Sequence, residues 1–405
     1  MTTIRTRLCG ALLVAAALLV GGCDLKVTNP GPLPDNALDA PTAMPGLVTG
    51  MSADLSYAMS DLAMSTSLMG DELRHSGNYA DENFYAAGEI PPDAVTGEWA
   101  EMHRARWVAE HGIQRLQEVL TTGFAASPLA TRAYLYMGFA NRLLGENVCS
   151  AVIDGGPAQD YKVHFQRADS AFTQALALAQ AQKDATLTNV ALAGRASVRA
   201  DLGNWATAAA DALQVPTSLV YNAIFSLNTA RENNELVYET STRREFSVWG
   251  TQWATNSNKD PRVRWDTVKT SAGKLQVGQD GKTVFFQQKK YPTLDANIPL
   301  AKGTEMLLIR AEAALRAGDV AGAVALMNQE RAFYTLAPIT AATADLAWPA
   351  LAKERGAVLW LENRRFYDLR RWNAEAGPMH NTFLDGRDKC IPISQNEAAS
   401  NPNLQ

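Results

Sequence analysis

The stretch TEMLLIRAEAALRAGDVAGAVALMNQER, Thr304–Arg331, decides the fold. Leu308, Ala311 and Leu315 recur at three- and four-residue spacing, the period of a helix with one buried face. The run stops at Ala317-Gly318-Asp319 and restarts at Val320-x-x-Ala323. A glycine just past the last periodic residue closes a helix, because it takes the left-handed conformation without a steric penalty. The stretch therefore reads as two helices, Thr304–Ala317 and Val320–Tyr334, folded back on each other. Small residues such as Ala311 and Ala313 let them approach closely.

The same pattern recurs upstream. Phe165-x-x-Ala168 and Trp205-x-x-Ala208 repeat the bulky-then-small spacing, and Gly203-Asn204 repeats the turn. Gly194 and Ala196 supply small residues in the helix before it. Helical periodicity predicts elements over Ala94–Leu120, Pro128–Leu144, Phe165–Gln182, Leu187–Leu202, Trp205–Leu213 and Ala347–Trp372. A first helix, capped by Asp39 or Thr42, runs through Met44, Leu47, Met51, Leu55 and Met59. This is tetratricopeptide-like grammar, in which a bulky side chain fills the groove between paired helices. The expected fold is mainly α, with irregular spacing that rules out a simple solenoid. Val215–Leu300 has another texture: LVYNAIFSL, ELVYETS, RVRWDTV and KTVFFQQKKY read as short strands or extended loops. Asp71–Pro92 reads as a second irregular stretch.

Composition narrows the function. The 405 residues are 47% hydrophobic and 20% charged, ordinary for a globular chain. Net charge is −5, and two positive charges (Arg5 and Arg7) leave with residues 1–22, taking it to −7. An acidic chain without a basic run is a poor partner for nucleic acid. Leu8–Val20 is apolar but too short to span a bilayer, so residues 1–22 read as a signal peptide. Val20-Gly21-Gly22-Cys23 resembles a bacterial lipobox. That resemblance implies cleavage before Cys23, diacylglycerol on its sulfur and an acyl chain such as palmitate on its amino group. Several chains anchor firmly where one would not. Plain secretion with an incidental cysteine is the simpler alternative. Cys9 would leave with the signal, so counting leaves Cys149 and Cys390 as a candidate disulfide, or as two separately buried thiols.

The C-terminal hundred residues resemble the SusD/RagB family. In Thr304–Arg331 the matching residues are Glu305, Leu308, Arg310, Ala311-Glu312, Gly318, Ala323, Asn328 and Arg331. In KERGAVLWLENRRFYDLRRWN they are Glu354-Arg355, Glu362, Arg365, Phe366, Asp368-Leu369, Arg371 and Trp372. The tail matches through Ile391-Pro392-Ile393, Glu397 and Asn401-Pro402-Asn403-Leu404. Val358 stands where the family usually has Glu, Asn363 where it has Gly, and His111 where it has Asn. Weaker similarity continues between the two ends of the mature chain.

The resemblance implies tetratricopeptide-like helix pairs against a loop-rich half. It implies one SusD-like domain, residues 42–405, behind a lipid-anchored leader at 23–41. Within it, 42–214 and 301–375 form the scaffold, 215–300 the insertion and 376–405 the tail. It further implies an outer-membrane lipoprotein, surface-exposed, that binds oligosaccharide (or peptide) and delivers it to a SusC-like TonB-dependent transporter without catalysis. The repeats alone also fit an envelope scaffold protein without small-molecule cargo.

Chemistry in the sequence agrees with a binder. Glu354, Glu362 and Asp368 lie among Arg355, Arg364, Arg365, Arg370 and Arg371, a setting for ion pairs rather than for two acids facing a sugar. Arg262, in Asp260-Pro261-Arg262, reads as a structural partner in the same sense. The five histidines form no H-E-x-x-H motif and the cysteines lack zinc spacing, so neither catalytic residues nor a metal or cofactor is assigned. Sugar binding needs flat aromatic faces beside planar polar groups. Two segments offer them: Phe246, Trp249, Trp253 and Asn256 in RREFSVWGTQWATNSNKD, and Asp71, Arg74, His75, Tyr79, Phe84 and Tyr85 in DELRHSGNYADENFYAAGE. The competing reading for each aromatic is a plug that pins its own loop to the helices.

Overall fold

The architecture comes from a computed structural model that describes residues 38–256 and 260–405. The expected signal peptide, Cys23, most of the expected leader and the Asn256 side chain lie outside the described residues. Helices carry the fold: α1 (Met44–Met69), α2 (Ala80–Ala87), α3 (Thr96–Leu120), α4 (Pro128–Asn147), α5 (Lys162–Ala181), α6 (Ala185–Asp201), α7 (Trp205–Leu213), α8 (Gly303–Arg316), α9 (Val320–Phe333), α10 (Ala344–Val358), α11 (Arg365–Asn373) and α12 (Gln395–Ser400). Each of α4 to α7 packs on its neighbour in sequence, α7 then packs on α8, and α8 packs on α9 and α10. Residues 44–405 form one compact unit.

The turns work as their sequence requires. Gly203 (φ 80°) and Gly318 (φ 82°) take the left-handed conformation. Beyond them, the Asn204 and Asp319 amides donate to the Arg199 and Ala314 carbonyls at 2.8 and 2.9 Å. The Asp319 carboxylate then caps α9 at the Gly322 amide, 2.8 Å away. Close approach depends on missing side chains. A Cβ on Gly194 or Gly138 would sit 2.4 or 2.6 Å from the Phe172 ring, and one on Gly145 would sit 2.7 Å from Phe165. Between α8, α9 and α10, Leu308, Ala311, Ala323, Met327, Ala347 and Leu351 are fully buried. Each large member contributes about 1.5–3 kcal/mol by leaving water.

Strands are short and paired in twos. β1 (Arg74–His75) pairs with β5 (Phe246–Ser247), and β2 (Ser150–Ala151) with β3 (Gln159–Asp160). β4 (Val220–Ala223) pairs with β8 (Ile298–Lys302), and β6 (Trp265–Thr267) with β7 (Phe286–Gln288). All four pairs are antiparallel.

Three expectations need correction. Asp71–Pro92 contains the helix α2, eight residues long. Its signals are Asp81 and Glu82 in the first turn and Gly88 (φ 77°), whose amide closes onto the Phe84 and Tyr85 carbonyls. ELVYETS is helical, not extended: Asn234 caps a turn at Glu235–Val237 that runs into a π-helical stretch, Tyr238–Arg243. The long helix expected over Ala347–Trp372 is two helices, α10 and α11, with a break at residues 359–364. Leu361 (φ 58°) and Asn363 (φ 62°) both adopt the left-handed conformation there. Asparagine tolerates it where a glycine would be usual. The freed polar groups find distant partners. The Leu361 amide donates to Glu72 at 2.8 Å, Lys302 Nζ donates to the Val358 carbonyl, and Lys290 and Lys302 both reach the Glu362 carboxylate at 2.6 Å.

Around the break lies a buried ionic network. Arg355 grips Asp368 at 2.9 and 3.1 Å, and Arg371 meets the same carboxylate at 2.7 Å. Arg364 joins Glu146 and Glu305 at 2.8 and 3.0 Å. Arg262 pairs with Asp260, Glu330 and Glu354, and Arg331 takes the other oxygen of Glu354 at 2.7 Å. The arginines around it hold the Asp368 carboxyl down to about 2, against the opposing effect of its burial. Glu354, Glu362 and Asp368 thus hold the frame together. Finally, Cys149 and Cys390 form a disulfide with Cα atoms 5.0 Å apart. Beside it the Cys149 amide donates to the Ile391 carbonyl and the Ile391 amide to Asn147.

Candidate ligand site

The site begins where α1 ends. Asp71 (φ 56°) turns the chain, and the Glu72 and Leu73 amides both donate to the Ser67 carbonyl. This sends Arg74–His75 along β5, with His75 opposite Phe246 and Arg74 opposite Ser247. The two aromatic segments, about 170 residues apart in sequence, therefore become neighbours. The Arg74 guanidinium fastens them. It donates to the Gly250 carbonyl from Nε at 3.3 Å and Nη2 at 3.2 Å, and it pairs with Asp71 at 2.7 Å. Gly250 (φ 78°) makes the bend that follows Trp249.

The side chains divide into exposed and buried. Trp249, Tyr79 and Phe84 are exposed, at 44%, 36% and 41%. Arg74 and His75 are half-buried, and His75 Nδ1 lies 3.1 Å from the Asn83 amide oxygen. Asp71 is buried beneath Arg74. Burial raises its carboxyl, with Arg74 and Arg365 pulling the other way.

Phe246, Trp253 and Tyr85 are core residues, which corrects their reading as ligand platforms. Phe246 is part of β5, opposite His75, and its side chain is fully buried. Trp253 is roofed by the Arg365 guanidinium, 5.1 Å from its ring, and α10 comes close enough that a Cβ on Gly356 would sit 2.9 Å away. The Tyr85 hydroxyl donates to Glu98 at 2.8 Å. These are the plugs that fix the loops, and sequence composition could not separate them from the exposed set.

Sequence reading missed the acidic floor. The Tyr79 hydroxyl reaches Glu239 at 3.5 Å, and the Arg243 guanidinium lies 5.0 Å over the Tyr79 ring. Buried Glu245 accepts from the Asn78 amide at 2.9 Å and from Arg243 at 3.2 Å. Glu239 and Arg243 sit in the π-helical stretch that the β-like composition of ELVYETS disguised. Burial, then Glu235, pushes the Glu239 carboxyl up to about 7. Behind it, burial with Glu98 and Asp61 pushes Glu82 up to about 8. The joined loops carry three exposed aromatic rings together with the Arg74 guanidinium, the His75 imidazole and the Asn83 amide, over the buried carboxylates of Asp71, Glu239 and Glu245. That set can stack on a ring and hydrogen-bond its edge. Among the described residues, no group of three or more His, Cys, Asp and Glu side chains could hold a metal. No described helix is long and apolar enough to cross a membrane.

Comparison with known proteins gives the class. Residues 281–405 match the model of the SusD family. A SusD superfamily protein from Bacteroides vulgatus shares the fold with a TM-score of 0.67 at 18% identity, over 89% of this chain and 97% of its own. A laminarin binding SusD-like protein gives a TM-score of 0.61 at 16% identity, over 90% of this chain and 99% of its own. A SusD-like carbohydrate binding protein from Bacteroides vulgatus gives 0.60 at 16%, over 81% and 82%. Among curated proteins, no sequence matches this chain. The helical frame thus shares the fold of these SusD-like proteins, and the C-terminal third matches the SusD family model.

Proposed function

We propose that this protein is a binding lipoprotein of the outer membrane that captures oligosaccharide at the β1–β5 junction and passes it to a SusC-like TonB-dependent transporter. The reading rests on one observation. Arg74 clamps the Gly250 carbonyl, and this joins the two remote loops that carry the exposed Trp249, Tyr79 and Phe84 rings. The carbohydrate and laminarin binding named for two proteins of the same fold supports a glycan as cargo. The lipobox-like segment supports anchoring through Cys23 with residues 23–41 as a tether, and surface display is part of the same proposal through the family resemblance alone. The role is non-catalytic, which fits the engagement of Glu354, Glu362 and Asp368 in ion pairs.

Titration calorimetry against neutral glycans, laminarin oligosaccharides among them, tests the cargo. Micromolar to millimolar binding that weakens in Trp249→Ala is expected. Unaltered binding in that variant would move the site elsewhere. Recovery of a large barrel protein with the natively anchored protein tests the partner. An envelope scaffold would keep its protein partners and bind no glycan.

A further inference from the structure

A cavity of about 420 Å³ opens between the first half of α1 and segment 224–232. The rise of α1 places Ala53 roughly 25 Å from Met69, where the helix delivers the chain to the β1–β5 junction. The cavity is therefore separate from the proposed loop site, and its volume falls within the roughly 300–1,000 Å³ of small-molecule pockets.

Helical spacing builds one wall. Thr49, Ser52, Ala53 and Ser56 occupy one face of α1 and line the space. Ser56 is 3% exposed, and its Oγ finds no hydrogen-bond partner among the described residues. A helical serine usually donates back to the carbonyl one turn earlier. Buried hydroxyls without a partner are uncommon, so this one is available both to donate and to accept.

The facing wall is apolar at Ile224 and Phe225 and is held firmly beyond them. The Glu232 carboxylate accepts from the Ser226 hydroxyl and, at 3.1 and 3.2 Å, from Asn228 and Thr229. Tyr57 closes one end, with the Arg231 guanidinium 4.0 Å over its ring. Arg231 is in turn fixed by Glu101 at 3.1 Å and Asp54 at 3.4 Å. Asp61 and Glu235 place two further carboxyl groups near Tyr57. This carboxylate excess turns anions away. Hydroxyls, an aromatic ring and an apolar wall suit a neutral ring compound that carries its own hydroxyls.

We infer that this cavity is a second, independent binding site for one or two rings of an uncharged sugar. The full-length protein is titrated with maltose, cellobiose and laminaribiose, by calorimetry and by ligand-observed NMR. The blocking variant is Ala53→Trp, at an exposed helix position whose folding is checked by circular dichroism and Tm. At least one of these sugars should bind wild type at a site that Ala53→Trp abolishes and Trp249→Ala leaves intact. Ser56→Ala should weaken that site roughly threefold to tenfold, as expected for one lost hydrogen bond. Sugar binding that is insensitive to Ala53→Trp, or absent for all three sugars, overturns the inference. Loss confined to Trp249→Ala would do the same while leaving the loop site standing.

Discussion

Asn363 and Met59 are 304 residues apart, yet the Asn363 side-chain amide donates to the Met59 carbonyl at 2.7 Å. Its oxygen accepts from Thr66 at 2.8 Å. The residue thus stitches the break between α10 and α11 to the middle of α1. Asn363→Ala loses both bonds and must hold φ near +62° with a Cβ that resists it. A cost of about 2–4 kcal/mol is expected in urea unfolding. Asn363→Gly keeps the conformation and loses only the bonds, so it should lie between Ala and wild type.

Gly194 faces the Phe172 ring with no room for a methyl group. Gly194→Ala should cost about 1–3 kcal/mol through overpacking between α5 and α6. Trimming the ring in the double variant Gly194→Ala with Phe172→Leu should recover part of that loss. Additive losses in thermal melts would show that the contact is not what the glycine serves.

Trp249 and Trp253 should behave oppositely. Trp249→Ala removes an exposed ring and should reduce glycan affinity about tenfold, or 1.4 kcal/mol, with Tm unchanged. Trp253→Ala empties a core position beneath Arg365 and should destabilise the fold by about 3–5 kcal/mol. Parallel calorimetry and denaturant melts separate the two effects.

Glu82 makes stability depend on pH. Its carboxyl is raised to about 8 by burial first and then by Glu98, Asp61, Glu239 and Asp81. Between its ordinary value and about 8 the folded state binds more protons than the unfolded chain. Stability therefore falls as pH rises through that window and levels off above it. The limiting slope is about 1.4 kcal/mol per pH unit for one such proton. Glu82→Gln should reduce the slope of urea midpoints between pH 5 and 8 by one proton's share, with Glu72 and Asp201, also raised to about 8, keeping part of it. An unchanged slope would assign the effect to other groups.

The disulfide closes a separation of 241 residues. On chain-entropy grounds its reduction should cost about 5 kcal/mol. Melts with and without reductant, set against Cys149→Ser with Cys390→Ser, would measure it.

Legibility in the sequence followed periodicity. Trp205–Leu213 and the hairpin after Gly318 could be read directly, because one apolar face repeats at helical spacing and a glycine marks each turn. The break at 359–364 was hidden, because its left-handed residues are Leu and Asn and its polar partners come from Glu72, Lys290 and Lys302. Both aromatic segments could be seen as unusual. Which rings face outward depended on a two-residue strand pairing and on one arginine, and neither leaves a periodic trace. The helical Tyr238–Arg243 was masked by β-branched and aromatic composition that tertiary packing overrides.

Lys290, in the irregular insertion, and Lys302, at the end of the strand that leaves it, give that region a role beyond carrying loops. They arrive from either end of the final strand region and stopper the open backbone of the frame at Trp360 and Val358. A chain trimmed to bare helix pairs would leave those carbonyls and the Glu362 charge stranded in a dry interior. The loop-rich portion is accordingly a keystone, since its lysines close polar groups that the helices alone leave open.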